Sequence, residues 1–160
     1  MSAARRELSL SRLLERSERA WRGVHAVVEE AKALPTPPGD SSALEGVHNR
    51  VVVALHQVKD AARAAESALV LAEDDPGARE LTAALGQMVT ALAVAGSSLS
   101  AARHCIGPHS PASQTEPHDE VAGLLMARRF LAAAEDGSTT LRWEVENLAA
   151  RLGRDSLQAR

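Results

Sequence analysis

The chain has 160 residues, 45% of them apolar but only 2% aromatic, and a formal net charge of -3. That length suffices for one domain with a real core, since chains of this size bury roughly 70% of their unfolded surface. The charge balance gives no broad electrostatic reason to bind nucleic acid or anionic membranes, and the single cysteine, Cys105, excludes an intramolecular disulfide.

The aromatic residues are Trp21, Trp143 and Phe130, with no tyrosine, so the apolar content is mostly Ala, Leu and Val. Ala and Leu favour helix, whereas a β-protein draws on aromatic and β-branched residues in alternation. Lys32 and Lys59 are the only lysines among many arginines, a bias that suggests a GC-rich bacterial genome. Arg5 and Arg6 are followed by Arg12, Glu15, Arg16, Glu18 and Arg19, not by the apolar core of a signal peptide. No stretch approaches the ~20 apolar residues of a membrane span. A cytoplasmic protein without membrane contact is therefore the expectation.

The elements follow from apolar residues recurring at alternating steps of three and four, which return a helix to one face. The first segment, about 3–34, gives Leu10, Leu14, Ser17, Trp21, Val24, Val28 and Ala31, widened by Leu13, Ala20, Val27 and Leu34. Trp21 lies within that seam and is expected in the core. The second, about 42–74, runs Leu44, Val47, Val51, Ala54, Val58, Ala61, Ala65, Ala68, Ala72. The third, about 76–106, runs Ala78, Leu81, Leu85, Met88, Leu92, Ala95, Leu99, Ala102, Ile106. In the fourth, about 116–153, Leu124, Ala127, Leu131, Ala134, Ser138, Leu141, Val145, Leu148 and Leu152 stay in phase across Asp136-Gly137-Ser138. A loop would not preserve register, so one continuous helix is predicted, with Gly137 its weak point. The tail 154–160 is expected to be disordered.

The punctuation agrees. Pro35, Pro37, Pro38 and Gly39 cannot stay helical, and Ser42 with Glu45 forms an S-x-x-E capping box. Asp75 is the expected cap of the third helix with Pro76 at its first helical position, and Thr115 caps the fourth. Short connections make sequential helices antiparallel neighbours. The sequence thus predicts an all-α, antiparallel up-down-up-down four-helix bundle as a single domain over 1–160. Its alternative is a pair of long hairpins completing their core by dimerisation.

Candidate chemistry is sparse. Glu45-x-x-His48 has the spacing that ligates iron in ferritin-like bundles, but those sites repeat the motif and add glutamates from two further helices. His104, Cys105, His109 and His118, followed by Asp119 and Glu120, cluster around the third connection and could ligate zinc, though in no standard spacing. Adjacent His104 and Cys105 diverge on a helix, so they do not form a nucleophile–base pair. No phosphate-cradling glycine loop occurs either. The expectation is a non-enzyme without a cofactor.

Two surfaces remain. Arg5, Arg12, Arg16 and Arg19 project from one stripe of the first helix, with Arg22 at its margin. The stripe could meet phosphates, yet Glu7, Glu15 and Glu18 flank it and no aromatic residues interleave for base stacking. Trp143 falls nearly opposite the fourth seam, and a large aromatic outside a core marks either a covering segment or a partner. Val52, Val53, Val70 and Leu125 also leave their seams. Phe130 and Trp143 are accordingly the expected apolar contacts of a bundle that works through protein–protein interaction, with a partner or with itself. The alternatives are a DNA-associated accessory protein using the arginine stripe, a metal-binding bundle, or a secreted helical effector.

Trp21-Arg22-Gly23 resembles the W-x-G signature of small helical-hairpin proteins exported by specialised bacterial secretion systems. In that family the motif occupies the turn between two helices; here it lies inside an unbroken heptad run.

Overall fold

The computed structural model describes residues 3–70, 76–106 and 117–158, with side chains in the last stretch described from 120 to 153. Four helices follow in chain order: α1 (Ala3–Ala33), α2 (Ser41–Leu69), α3 (Gly77–Ile106) and α4 (Pro117–Gln158). Each packs on its neighbour in the chain, and α4 returns to close on α1. This is the expected all-α four-helix bundle. Among the described residues the diagonal pairs do not meet, because the core lies between them.

The seams of α2, α3 and α4 form that core, with Ala78, Ile106 and Leu152 at its ends only partly buried and Ala72 outside the described residues. Leu44, Val51, Val58, Leu81, Met88, Leu92, Leu99, Leu124, Leu131 and Leu141 are each no more than 1% exposed. Helix α4 passes unbroken through Asp136, Gly137 and Ser138. Gly137 proves to be a packing position: a Cβ there would lie 2.8 Å from Met88 Cγ. Gly123 is tighter still, with a Cβ meeting Ala102 Cβ at 2.8 Å and the Ser98 carbonyl oxygen at 3.0 Å. These two glycines let the α3 and α4 backbones approach closely.

Helix α1 departs from its expected seam. Leu13, Ser17, Ala20, Val24, Val27, Val28 and Ala31 are buried, whereas Leu14 is 39% exposed and Trp21 only half-buried. The inward face is rotated by about one residue, toward the positions that seemed merely to widen the stripe. A bundle helix touches two neighbours and needs a broader apolar face than a coiled-coil seam, which moves Trp21 to the flank facing α4.

The helix ends also differ from expectation. Asp40, not Ser42, caps α2: its backbone is extended and its carboxylate accepts from the Ser42 N–H at 2.8 Å. Glu45 instead pairs with Arg103 of α3 at 3.4 Å. Gly39 reaches a φ of 59°, the left-handed region that only glycine enters freely, and its N–H donates to Glu120 of α4 at 3.0 Å. Helix α2 stops at Leu69, with Val70 as its cap. Pro76 stands in the turn before α3, while the expected caps Asp75 and Thr115 lie outside the described residues. Of the tail expected to be disordered, 154–158 are helical, and 159–160 lie outside the described residues. Gly153 costs a helix about 1 kcal/mol but does not stop it, and no proline follows.

Helix α1 ends against a side chain distant in the sequence. Arg128 of α4 donates through Nε to the Ala31 carbonyl at 2.9 Å, through a terminal nitrogen to the Leu34 carbonyl at 2.6 Å, and to Thr36 Oγ1 at 2.9 Å. The last carbonyls of a helix lack partners within it. One guanidinium here supplies them and holds the proline-rich connection against α4.

Candidate interaction surfaces

The arginine stripe of α1 is largely engaged. Arg19 pairs with Glu15 at 2.9 Å and Arg22 with Glu18, both one turn apart, and Arg16 reaches Asp60 of α2 at 3.9 Å. Arg5 and Arg12 are exposed. The stripe is thus mostly a solvated face laced with ion pairs, and three of its guanidiniums already face carboxylates.

Of the residues proposed for metal, His104 and Cys105 lie among the described residues. His104 is exposed, with its Nδ1 2.6 Å from the Ser100 carbonyl, and the Cys105 thiol, half-buried and free, donates to the Ala101 carbonyl at 3.4 Å. Each is thus turned back on its own helix. His109 lies outside the described residues, as do the side chains of His118 and Asp119. His48 lines the groove between α2 and α3, while Glu45 pairs with Arg103.

A different cluster does form, between α1 and α4. His25, Glu29 and Glu135 bring three ligand-type atoms within 4.8 Å of one another. Each already has a partner: His25 Nδ1 lies 3.1 Å from Glu135, and Lys32 donates to Glu29 at 3.1 Å. The bond to Glu29 raises the Lys32 ammonium above its usual range. Trp21 stacks on His25 with 6.3 Å between ring centroids, and Arg142 sits 4.5 Å from the Trp21 centroid as a cation–π contact. This ladder of charged and aromatic groups crosses between helices remote in sequence, so periodicity alone gave no sign of it.

The apolar candidates divide. Trp143 is 64% exposed on the outer face of α4. Helical spacing makes Thr139, Thr140, Glu146 and Asn147 its neighbours, so it is a solitary aromatic among polar residues. Phe130 is half-buried and packs on the core. Val52, Val53, Val70 and Leu125 are exposed as expected, joined by Leu8, Leu14 and Met126.

The surface that sequence reading missed belongs to α3. From Leu81 to Ala102 this helix carries no charged residue, although part of it faces outward. The exposed positions Ala83, Gly86, Thr90, Ala93, Ser97 and Ala101 recur at steps of three and four. They form a second seam, made of small residues and turned to solvent. Val52 and Leu55 of α2 border it across a shallow groove that also includes Gly96 and Ser100. The same composition makes α3 the one described helix long and apolar enough to cross a membrane, with a mean hydropathy of 1.3. That departs from the expectation that no stretch comes near a span. Its inner face packs on α2 and α4, but only 39% of its apolar window is buried. Comparison with protein-family models, curated proteins and solved structures finds no match for this chain.

Proposed function

We propose that the chain is a non-catalytic helical bundle that acts through protein–protein contact, and that its principal contact is α3 against α3 of a second copy. The observation that carries this reading is the charge-free outer face of α3. A surface helix of a bundle ordinarily turns charged residues outward, and α1, α2 and α4 do so with Arg19, Arg50, Arg63 and Arg142. A face of Ala, Gly, Ser and Thr lets a second helix backbone come close.

The spacing of the seam fits an antiparallel arrangement. The midpoint of Ala83 and Ala101 is Leu92. A two-fold axis near Leu92 therefore aligns the two small-residue seams. Such an interface is self-complementary, as a closed dimer requires. The stretch from Ala83 to Ala101 is about 27 Å long. With the α2 border it would bury roughly 800 Å² in total, the size of a weak, reversible association.

Trp143 supports a second contact, since exposed tryptophan is enriched at the energetic centres of interfaces. The DNA-associated alternative is weakened by the pairing of Arg16, Arg19 and Arg22 with carboxylates.

Cysteine cross-linking tests the geometry. In a Cys105→Ser background, Ala93→Cys is expected to oxidise to a disulfide-linked dimer, and Ala83→Cys mixed with Ala101→Cys to a heterodimer. Thr139→Cys, on α4, stays monomeric. Equal cross-linking at Ala93 and Thr139 would refute the arrangement.

A further inference from the structure

Between α1 and α4, near the Trp21 level, the seam opens into a cleft of about 260 Å³. Leu14 and Trp21 of α1 and Val145 of α4 wall it, Arg142 and Glu146 stand at its rim, and Ser17 lines its interior. The sequence creates the opening, because Ser17 occupies a core position on α1 that a leucine would fill. Ser17 is only 5% exposed, and its hydroxyl has no hydrogen-bond partner.

That hydroxyl is unusual for this chain. A serine within a helix commonly returns its proton to a carbonyl of the preceding turn. Ser138, the other buried polar residue among those described, does so with the Glu135 carbonyl at 2.7 Å, and half-buried Ser98 does so with the Val94 carbonyl at 2.9 Å. Ser17 makes no such bond. Buried polar groups are ordinarily paired, and of the three buried side-chain polar atoms without a partner among the described residues, Ser17 Oγ is the one that lines this cleft.

We propose that this cleft is a binding site for a small neutral molecule with a flat apolar body and one hydroxyl or carbonyl group, which pairs with Ser17. The size follows from volume: an apolar cavity of about 150 Å³ holds a single benzene ring, so this cleft accommodates one or two fused rings. Neutrality follows from the rim. Arg142 is bonded to Glu146 at 3.1 Å and Glu18 to Arg22, so the charged groups there already have partners. Leu14, 39% exposed, and the flank of Trp21 supply apolar surface that such a guest would cover. The cleft lies on a different helix pair from the outer face of α3, so ligand binding and dimerisation can fail independently.

The test titrates the full chain with 2-naphthol and, separately, with naphthalene, the same rings without the hydroxyl. Calorimetry gives the affinities and amide chemical shifts locate the site. Saturable sub-millimolar binding of 2-naphthol is expected, with shifts confined to α1 and α4 around Ser17. Ser17→Ala should weaken 2-naphthol about fivefold, the net effect of one hydrogen bond, and leave naphthalene unchanged. Ser17→Leu should fill the cleft and abolish both. No saturable binding, shifts centred elsewhere, or 2-naphthol affinity unaltered in Ser17→Ala would overturn the proposal. The comparison of two ligands on wild type and Ser17→Ala decides it even if Ser17→Leu does not fold.

Discussion

Arg128 donates to the carbonyl of Ala31 at 2.9 Å, across 97 positions of sequence, and so caps α1 with a side chain of α4. The same guanidinium reaches Leu34 and Thr36. Arg128→Ala removes all three bonds and leaves part-buried carbonyls without a donor. A loss of about 2 kcal/mol is expected, from the range for hydrogen bonds involving a charged group, read as a lower urea midpoint at unchanged slope. Arg128→Lys should recover less than half of it, because one ammonium cannot reproduce the planar fork.

The glycines of α4 give an opposite sign to that expected from helix propensity. Replacing glycine by alanine inside an open helix stabilises by about 0.5–1 kcal/mol, and Gly46 of α2, with nothing within 4 Å of an added Cβ, should show that gain. Gly137→Ala should instead lose about 1 kcal/mol net, because Met88, fully buried, must shift. Gly123→Ala should lose about 2 kcal/mol, since the Ser98 carbonyl and the Ala102 methyl cannot rotate away. Thermal melts of the three variants check the order.

The cap at Asp40 makes stability depend on acid. Its carboxyl is held below the usual value of 3.8, chiefly by the Ser42 backbone N–H. A carboxyl lowered in the folded state contributes stability that is complete above its unfolded value and is lost as pH falls through the folded one. Asp40→Ala should therefore lower Tm near neutrality, and the gap from wild type should narrow as pH falls below the usual carboxylate value. An equal gap at pH 2 and pH 7 would contradict the assignment.

Trp143 makes the contrary prediction. At 64% exposed it contributes little to the folded chain, so Trp143→Ala should change stability by less than about 0.5 kcal/mol. A larger loss in urea melts would mean that the ring is covered.

Most of the fold could be read because bundle cores repeat in register. The α2, α3 and α4 seams, and the continuity of α4 through Gly137, needed only spacing. Trp143 was legible for the same reason, as a residue out of phase. The rotation of α1 was not, because Leu13 and Leu14, or Ala20 and Trp21, are adjacent and both apolar; only the neighbours decide which turns inward. The Arg128 clamp and the His25–Glu135 bond were hidden because periodicity gives a helix's own face and not the residue opposite. Asp40 and Ser42 both make good caps, and only the backbone at Asp40 separates them. The second seam of α3 was masked by the first, since alanine and serine register weakly beside leucine.

Sedimentation equilibrium of wild type and Ala93→Glu tests the central claim most directly. The account predicts that wild type approaches twice the 16.9 kDa chain mass as concentration rises into the hundred-micromolar range, while Ala93→Glu remains a monomer of unchanged Tm. A wild type that stays monomeric throughout, or a dimer that survives Ala93→Glu, would contradict it.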